Sequence, residues 1–348
     1  MFTIAFYVHH HGSGHLMRTL QVAAALTDYR VILIGSAVNQ VDLSRLRNVE
    51  IVQLPPDTGK DHVAISHDDC IPDTFHYAPL DVPKIKNRMA ILSALFEKES
   101  PMILVVDVSV EITLFARLCG IPTVVICQHG KRDDLPHLMA YQSAALLIAP
   151  FSESLYIGDR NWVYDKTVFT GGFSRFRLNT RAVENTRNIA ILIGAGGTSI
   201  TKSLVEHIAR QSPTFSFHVL GEEMPGSKAR NIIWHGTVAN PEQLLKSAAI
   251  IIGNTGHNTV MEVASLNKRF IGIPEERPFE EQVQKAQSVA GRAGICIVQK
   301  EDLWNSDWTK MLDNLSCKIP DWEGVIIPDA INKMANAIIE AGKSFFEP

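Results

Sequence analysis

Phe2–Leu20 reads FTIAFYVHHHGSGHLMRTL. Phe2–Val8 is a short apolar run rich in β-formers. After the histidines, Leu16, Leu20, Ala23, Ala24 and Leu26 recur at helical spacing, so the order is strand, glycine-rich turn, helix. That order puts His9, His10 and His11 at the carboxyl end of a first strand rather than in an appended tag. Gly12 and Gly14 let the backbone turn tightly and leave amides bare at a helix start. Such a place favours anions, because unpaired N–H groups and the helix dipole point there. His15 stands in this turn. The positive helix end disfavours imidazolium, and a neutral imidazole accepts a proton from a hydroxyl or water. The plainer alternative is a histidine that only caps or packs the turn. Successive strand residues face opposite sides, so His9, His10 and His11 cannot all face one ligand, and zinc needs three or four converging ligands. One or two of them line a cleft and another is structural.

The alternation set by this opening continues. Candidate strands are Thr3–Val8, Val31–Gly35, Val49–Leu54, Ile103–Asp107, Thr123–Cys127 and Leu146–Ala149. Candidate helices fill Gly14–Thr27, Val82–Lys98, Val110–Cys119 and Pro136–Ser143. Alternating β and α implies a parallel sheet covered on both faces. Asp57–Pro83 interrupts the rhythm with a polar loop, and a loop of that length is usually functional or mobile. The pattern then restarts. Asn188–Ile193 leads into Gly194-Ala195-Gly196-Gly197-Thr198 and a helix over Ser199–Arg210. Strands Phe215–Leu220, Ile232–Trp234, Ile250–Gly253, Arg269–Ile273 and Ile295–Val298 follow. They alternate with helices near Pro241–Ser247, Gly256–Ser265 and Phe279–Ala290. Thr170–Arg187 lacks an apolar stripe and reads as a linker, and Ala330–Ala341 reads as a terminal helix. The expected organisation is an N-terminal Rossmann-like domain over 1–169, a linker over 170–187 and a second Rossmann-like domain over 188–328. A final segment over 329–348 packs back toward the first domain.

A chain of 348 residues suits two such domains. Its net charge of −4 argues against a general nucleic-acid binder. No apolar run is long enough to span a bilayer, and the opening residues do not read as a signal peptide. Five scattered cysteines without a CxxC pair suit reduced thiols in a cytoplasmic protein. Lys84, Lys86 and Arg88 precede Ile91, Leu92, Leu95 and Phe96, a basic end joined to an apolar stripe. Peripheral membrane contact is one reading; a core-facing helix with a solvated start is the preferred one.

Ligands of open parallel sheets collect beyond the carboxyl ends of the strands. His15, Asp107, Gln128 and His129 fall there in the first half. In the second half, Gly194–Thr198, Asn254–Asn258 and Glu275–Gln282 do so. GAGGTS lacks a P-loop lysine and is not GxGxxG, so alone it is equally a simple tight turn. NTGHNTVMEV, Asn254–Val263, again delivers glycine and small polar residues to a helix start. Glu262 stands about two turns inside, where a carboxylate takes both hydroxyls of a ribose or is merely an exposed helix residue. Glu281 and Gln282 in RPFEEQVQKA open a further helix, where they cap it or bind a sugar. His67-Asp68-Asp69-Cys70 has ligand-type residues but reads as a solvated loop. No metal site is expected, and no DxD-like pair stands at a well-placed strand end.

On these residues the chain resembles GT-B glycosyltransferases of the MurG-like group, family 28 type. GSGH is similar to that group's GGxGGH turn, and GAGGTS to the glycine-rich turn opening the second domain. TGHNTVMEVASLNKRFIGIPEERPFEEQVQKA is similar to its nucleotide-sugar signature, S/G-small-x-T-x-x-E followed by G-x-P and a helix containing Gln. The resemblance implies a GT-B fold, two Rossmann-like domains with parallel sheets facing a central cleft. It implies His15 as the catalytic histidine, with Gly14 in its turn. Gly194 opens the turn in which Gly196, Gly197 and Thr198 lie near phosphate. Thr237 lies where backbone recognises the base. Gly256, His257 and Asn258 approach the diphosphate beside Asn254, Glu262 the ribose, and Gln282, next to Glu281, the donor sugar. Arg175 in GGFSR is similar to a linker arginine that reaches the donor. Unlike that group, the donor-side helix has a single Gln282 rather than paired glutamines.

GSGHLMR is also similar to the GxGHxxR turn of nucleotide-sugar hydrolases of the PseG type. In that reading Asp107–Glu111 and Gln128–Asp134 face the acceptor, with His11 beside them, and Asp107 or Glu111 is the base instead of His15. The main expectation, from the family 28 resemblance, is an inverting, metal-independent hexosyltransferase. It would use a UDP-sugar as donor substrate, without a cofactor, and a hydroxyl acceptor, lipid-linked or of a cell-envelope glycan. It would sit in the cytoplasm or at the inner face of the membrane. A nucleotide-sugar hydrolase and a non-catalytic sugar-nucleotide-binding protein are the alternatives.

Overall fold

The structure is a computed structural model that describes residues 2–9, 13–38, 43–44, 46–57, 72–178, 187–194, 196–222 and 229–347. His10, His11, Gly12 and the His67–Cys70 cluster lie outside the described residues. The chain divides into two compact units, Met1–Pro150 with Gly158–Thr170 and Asp329–Pro348, and Phe151–Ile157 with Gly171–Pro328.

The first unit holds β1 (Thr3–Tyr7), α1 (Ser13–Ala23), β2 (Val31–Gly35), β3 (Val49–Gln53), α2 (Pro83–Lys98), β4 (Met102–Asp107), α3 (Val110–Leu118), β5 (Thr123–Ile126), α4 (Leu135–Ser143), β6 (Leu146–Ala149), α5 (Trp162–Asp165) and β7 (Thr167–Phe169). Its strands form a sheet in the order β3-β2-β1-β4-β5-β6-β7, parallel throughout. The second unit holds β8 (Asn188–Leu192), α6 (Lys202–Gln211), β9 (Ser216–Leu220), β10 (Ile232–Trp234), α7 (Glu242–Ser247), β11 (Ile250–Asn254), α8 (His257–Ser265), β12 (Arg269–Ile273), α9 (Glu281–Val289), β13 (Ile295–Ile297) and α10 (Trp308–Ser316). Here the order is β10-β9-β8-β11-β12-β13, also parallel. The last helix, α11 (Ala330–Phe346), returns to the first unit.

Two covered faces explain the strand composition. β2, β4, β11 and β12 are buried along their whole length, as parallel strands between helix layers must be. In the first unit Leu92, Leu95 and Phe96 of α2 pack with Ala5, Ile32 and Leu104. The stripe of α2 is therefore core and not a membrane face. Among the described residues no helix is long and apolar enough to cross a membrane. In the second unit Ile191, Phe217 and Ile252 meet Leu204, Ile208, Trp308 and Leu312.

Each sheet reverses strand order once, between β1 and β4 in the first and between β8 and β11 in the second. At such a switch point the loops leave in opposite directions and open a crevice at the carboxyl ends. This feature of the fold positions His15 and Asp107 in the first unit and Asn254 and Gly256 in the second.

Several sequence expectations need correction. Phe151–Ile157 belongs with the second unit rather than the first. The expected linker begins with structure, because Gly172 bridges Ile326 and Phe173 and Phe176 are buried. The helix expected from Ser199 starts at Lys202, where the Thr201 hydroxyl accepts from the Leu204 amide as N-cap. The terminal helix runs on to Phe346. Its Gly342 lies so close to Phe2 that an added Cβ would stand 2.2 Å from the ring. β7 and α10 were not expected. β7 is a three-residue edge strand with no run to read, whereas α10 has its signal, an Asp307 N-cap followed by buried Trp308, Leu312 and Leu315.

Candidate active site

In the first unit the switch point gathers His15, Arg18 and Asp107. Asp107 is the last residue of β4, and His15 stands in the first turn of α1, which leaves β1 next door. Val108, the next residue, has φ of 59°, a left-handed backbone that β-branched residues rarely adopt. That turn takes the chain sharply off β4. His15 Nδ1 lies 2.7 Å from Asp107 Oδ2. One Arg18 nitrogen, a helical turn beyond His15 on the same face, donates to both Asp107 oxygens at 2.7 and 2.8 Å. Burial alone would raise the Asp107 carboxyl, but the Arg18 guanidinium and then His15 outweigh it, holding the group well below the ordinary carboxylate range.

An ionised carboxylate is acceptor-only, so His15 Nδ1 carries the proton and donates it to Asp107. The approaches of Arg18 at 3.3 Å and Gln128 Nε2 at 3.5 Å to Nδ1 come from donors and do not displace that shorter bond. Nε2 then presents a lone pair, and it has no hydrogen-bond partner among the described residues. The His9 ring lies beside the His15 ring, tilted by 53°, at 5.7 Å between centroids. Gln128 and His129, which follow β5, are both buried.

Glu111 has a different job. Its Oε1 accepts the backbone amides of His76 and Tyr77, each at 2.9 Å. It holds the end of the long polar loop against the start of α3. The same loop is fixed by Asp134, which accepts from His76 Nε2 at 2.9 Å and His137 Nδ1 at 2.7 Å. These three side chains are close enough to hold a cation. Arg132 Nη1, a fixed donor, lies 3.0 Å from His137 Nε2, however, which keeps the His137 proton on the Nδ1 that a metal would need. Burial, and next the Arg132 charge, push His137 down to about 4. For Asp134, burial is outweighed by the His137 amide and the two rings, which bring it down to about 2.

In the second unit the loops after β8, β11 and β12 meet. Glu275, two residues beyond β12 and 7% exposed, is their knot. Its Oε1 accepts from Thr198 Oγ1 at 3.2 Å, Ser199 N at 2.6 Å, Ser199 Oγ at 2.7 Å and Asn254 Nδ2 at 2.9 Å. Its backbone amide donates to Gln282 Oε1 at 3.1 Å, and Thr255 Oγ1 donates to the Gln282 carbonyl at 2.8 Å. Gly256 is the N-cap of α8 with no side-chain cap bond, and His257 and Asn258 form its first turn. A Cβ at Gly256 would stand 3.7 Å from Gln282 Nε2. One and a half turns on, Glu262 is paired with Arg175 at 2.8 Å. Burial raises its carboxyl and Arg175 opposes the rise. It is therefore not an exposed helix glutamate.

The structure brings Gly196, Gly197, Thr198, Asn254, Gly256 and Gln282 to one edge of the second sheet, and Arg175 to Glu262. Gly194 leads into this turn, Glu281 opens α9 beside Gln282, and Thr237 is exposed after β10. Gly14 stands in the first turn of α1. The sequence reading gave no role to Arg18, Glu275 or Arg277. Arg18 was readable as the residue three after His15 on one helix face. Glu275 carried no signal beyond its place after a strand.

Residues 173–319 match the model of the glycosyltransferase family 28 C-terminal domain. No match is found among curated proteins. Among solved structures, Acinetobacter baumannii MurG is 15% identical with a TM-score of 0.61, covering 97% of this chain and 99% of its own. Arabidopsis thaliana UGT89C1 complexed with UDP is 12% identical with a TM-score of 0.61, covering 97% and 100%. The spinosyn rhamnosyltransferase SpnG complexed with thymidine diphosphate is 11% identical with a TM-score of 0.61, covering 99% and 96%. At such identities the likeness speaks for the fold, two parallel-sheet α/β domains of GT-B type. The chain thus has a GT-B type fold, and within its second unit residues 173–319 are similar to the glycosyltransferase family 28 C-terminal domain.

Proposed function

We propose that the protein is an inverting, metal-independent glycosyltransferase that moves a sugar from a UDP-sugar to a hydroxyl acceptor. The observation that carries this reading is the His15–Asp107 pair at the first switch point, with Nε2 left open. Nε2 takes the proton of the acceptor hydroxyl. The acceptor oxygen attacks the anomeric carbon from the face opposite the diphosphate, and the bond from that carbon to the phosphate oxygen breaks. The diphosphate leaves with the bonding electrons, and the uncapped N-terminus of α8 stabilises it. Asp107 stays ionised and holds the imidazole as its charge grows, the part a carboxylate plays in a His–Asp pair. Gly196–Thr198 and Gly256–Asn258 lie near the phosphates, Glu262 takes the ribose, and Gln282 reads the sugar. The choice of UDP is supported by the neighbour bound to UDP; the neighbour bound to thymidine diphosphate makes a TDP-sugar the first competitor. The acceptor of this reading is lipid-linked or part of a cell-envelope glycan, met at the inner face of the membrane.

Arg18 favours one second reading. It sits where GSGHLMR is similar to the hydrolase turn, and it braces the same Asp107. If Nε2 activates water instead, the enzyme is a nucleotide-sugar hydrolase. Product analysis separates the two. UDP-sugars are incubated with and without hydroxyl acceptors, and glycosylated acceptor is the expected product. Free sugar released at full rate without any acceptor would establish the hydrolase.

A further inference from the structure

The loops that meet in the second unit are poor in positive charge. Gly194–Thr201 and Thr255–Gly256 contain no Lys or Arg, and Pro274–Gln282, PEERPFEEQ, contains four glutamates and Arg277 alone. A donor diphosphate arriving here meets carboxylates unless a cation is held out to it. Arg277 Nη2 donates to the carbonyls of Gly196 at 2.7 Å and Gly197 at 2.6 Å. Its Nε and Nη1 have no hydrogen bond among the described residues, and no carboxylate there lies within ion-pair range of it. The N–H groups of the same two trans peptides, those of Gly197 and Thr198, point to the other side of the turn from Arg277 and have no partner among the described residues. Gly197 has φ of +84°, and consecutive bare amides around such a residue form an anion-binding concavity. Phe279 and Glu280, just after Arg277, both take left-handed φ of 60° and 55°. A loop of non-glycine residues persists there only when its surroundings hold it. Glu275 ties the start of this loop down, through the Ser199 amide and hydroxyl on one side and Asn254 on the other.

We propose that Arg277 binds the diphosphate of the donor from its perch on the Gly196–Gly197 turn, and that Glu275 is the positioning residue that sets the perch. This rests on the reading of the second unit as the donor site. A guanidinium with one nitrogen anchored and an open edge is suited to bidentate phosphate contact. It offsets charge that a helix terminus, worth about half a unit charge, covers only in part.

The test is calorimetric binding of UDP, TDP, uridine and thymidine to the full chain and to Arg277→Gln, Arg277→Lys and Glu275→Gln. The nucleoside diphosphate that binds the unaltered chain should bind Arg277→Gln about tenfold to a hundredfold more weakly, the span for losing a charge-assisted hydrogen bond. Its nucleoside should bind both equally, and Arg277→Lys should recover part of the loss. Glu275→Gln should weaken the diphosphate while leaving the nucleoside alone. If Arg277→Gln binds diphosphate as tightly as the unaltered chain, or loses nucleoside and diphosphate equally, Arg277 only pins the turn and the proposal is wrong. If the unaltered chain binds no nucleoside diphosphate, the donor-site reading itself fails.

Discussion

His15 Nδ1 and Asp107 Oδ2 stand 2.7 Å apart although 92 residues separate them in the chain. Adjacent parallel strands β1 and β4 end side by side, and this brings the two groups together. Asp107→Asn should keep the ring in place but remove the charge that fixes its tautomer. Steady-state rates should fall by about 10²–10⁴ with KM little changed. Equal rates in the variant would remove Asp107 from the mechanism.

Arg18 and Asp107 are both only 5% exposed. Arg18→Met should strand a buried carboxylate and cost about 3–5 kcal/mol, read by denaturant unfolding. The Asp107 carboxyl lies below its unfolded value, so its contribution is present at neutral pH and is lost as acid takes the pH below the ordinary carboxylate range. Arg18→Met should flatten that acid limb. A variant as stable as the parent, with the same limb, would contradict the pairing.

His137 titrates at about 4 in the folded chain, below its ordinary 6.5. Between those values the unfolded chain binds the extra proton, so stability falls as the pH drops from about 6.5 to 4. Asp134, brought down to about 2, adds a second loss only at lower pH. His137→Gln should remove the upper window, on the order of 1–3 kcal/mol of pH-dependent stability, and leave the lower one. An unchanged slope between pH 4 and 6.5 would place the effect elsewhere.

The alternation of both units and the carboxyl-end placement of His15, Asp107, Gly196, Gly256 and Gln282 were legible because strand and helix periods are local. What was not legible depends on pairing across the sheet. Glu111 and Asp107 are equally plausible bases in sequence. Only the fold shows one against His15 and the other on the amides of His76 and Tyr77. Glu275 likewise has no periodic signature, since its bonds reach back 76 and 77 residues to Ser199 and Thr198. α10 was legible and was missed.

Gly342 and Phe2 give a packing test far from the site. Gly342→Ala should cost about 1–3 kcal/mol through overpacking against the ring. Phe2→Leu in the same chain should recover part of it. Additive losses from the two substitutions would show that they do not touch.

The proposed function requires the second unit to hold a nucleoside diphosphate sugar while His15 activates the attacking hydroxyl. Its most direct test is His15→Ala assayed twice, for nucleoside diphosphate binding by calorimetry and for diphosphate release from UDP- and TDP-sugars with acceptor present. Binding should be unchanged, with release lowered by about 10²–10⁴. Release at the parental rate, or no binding by either protein, would contradict it.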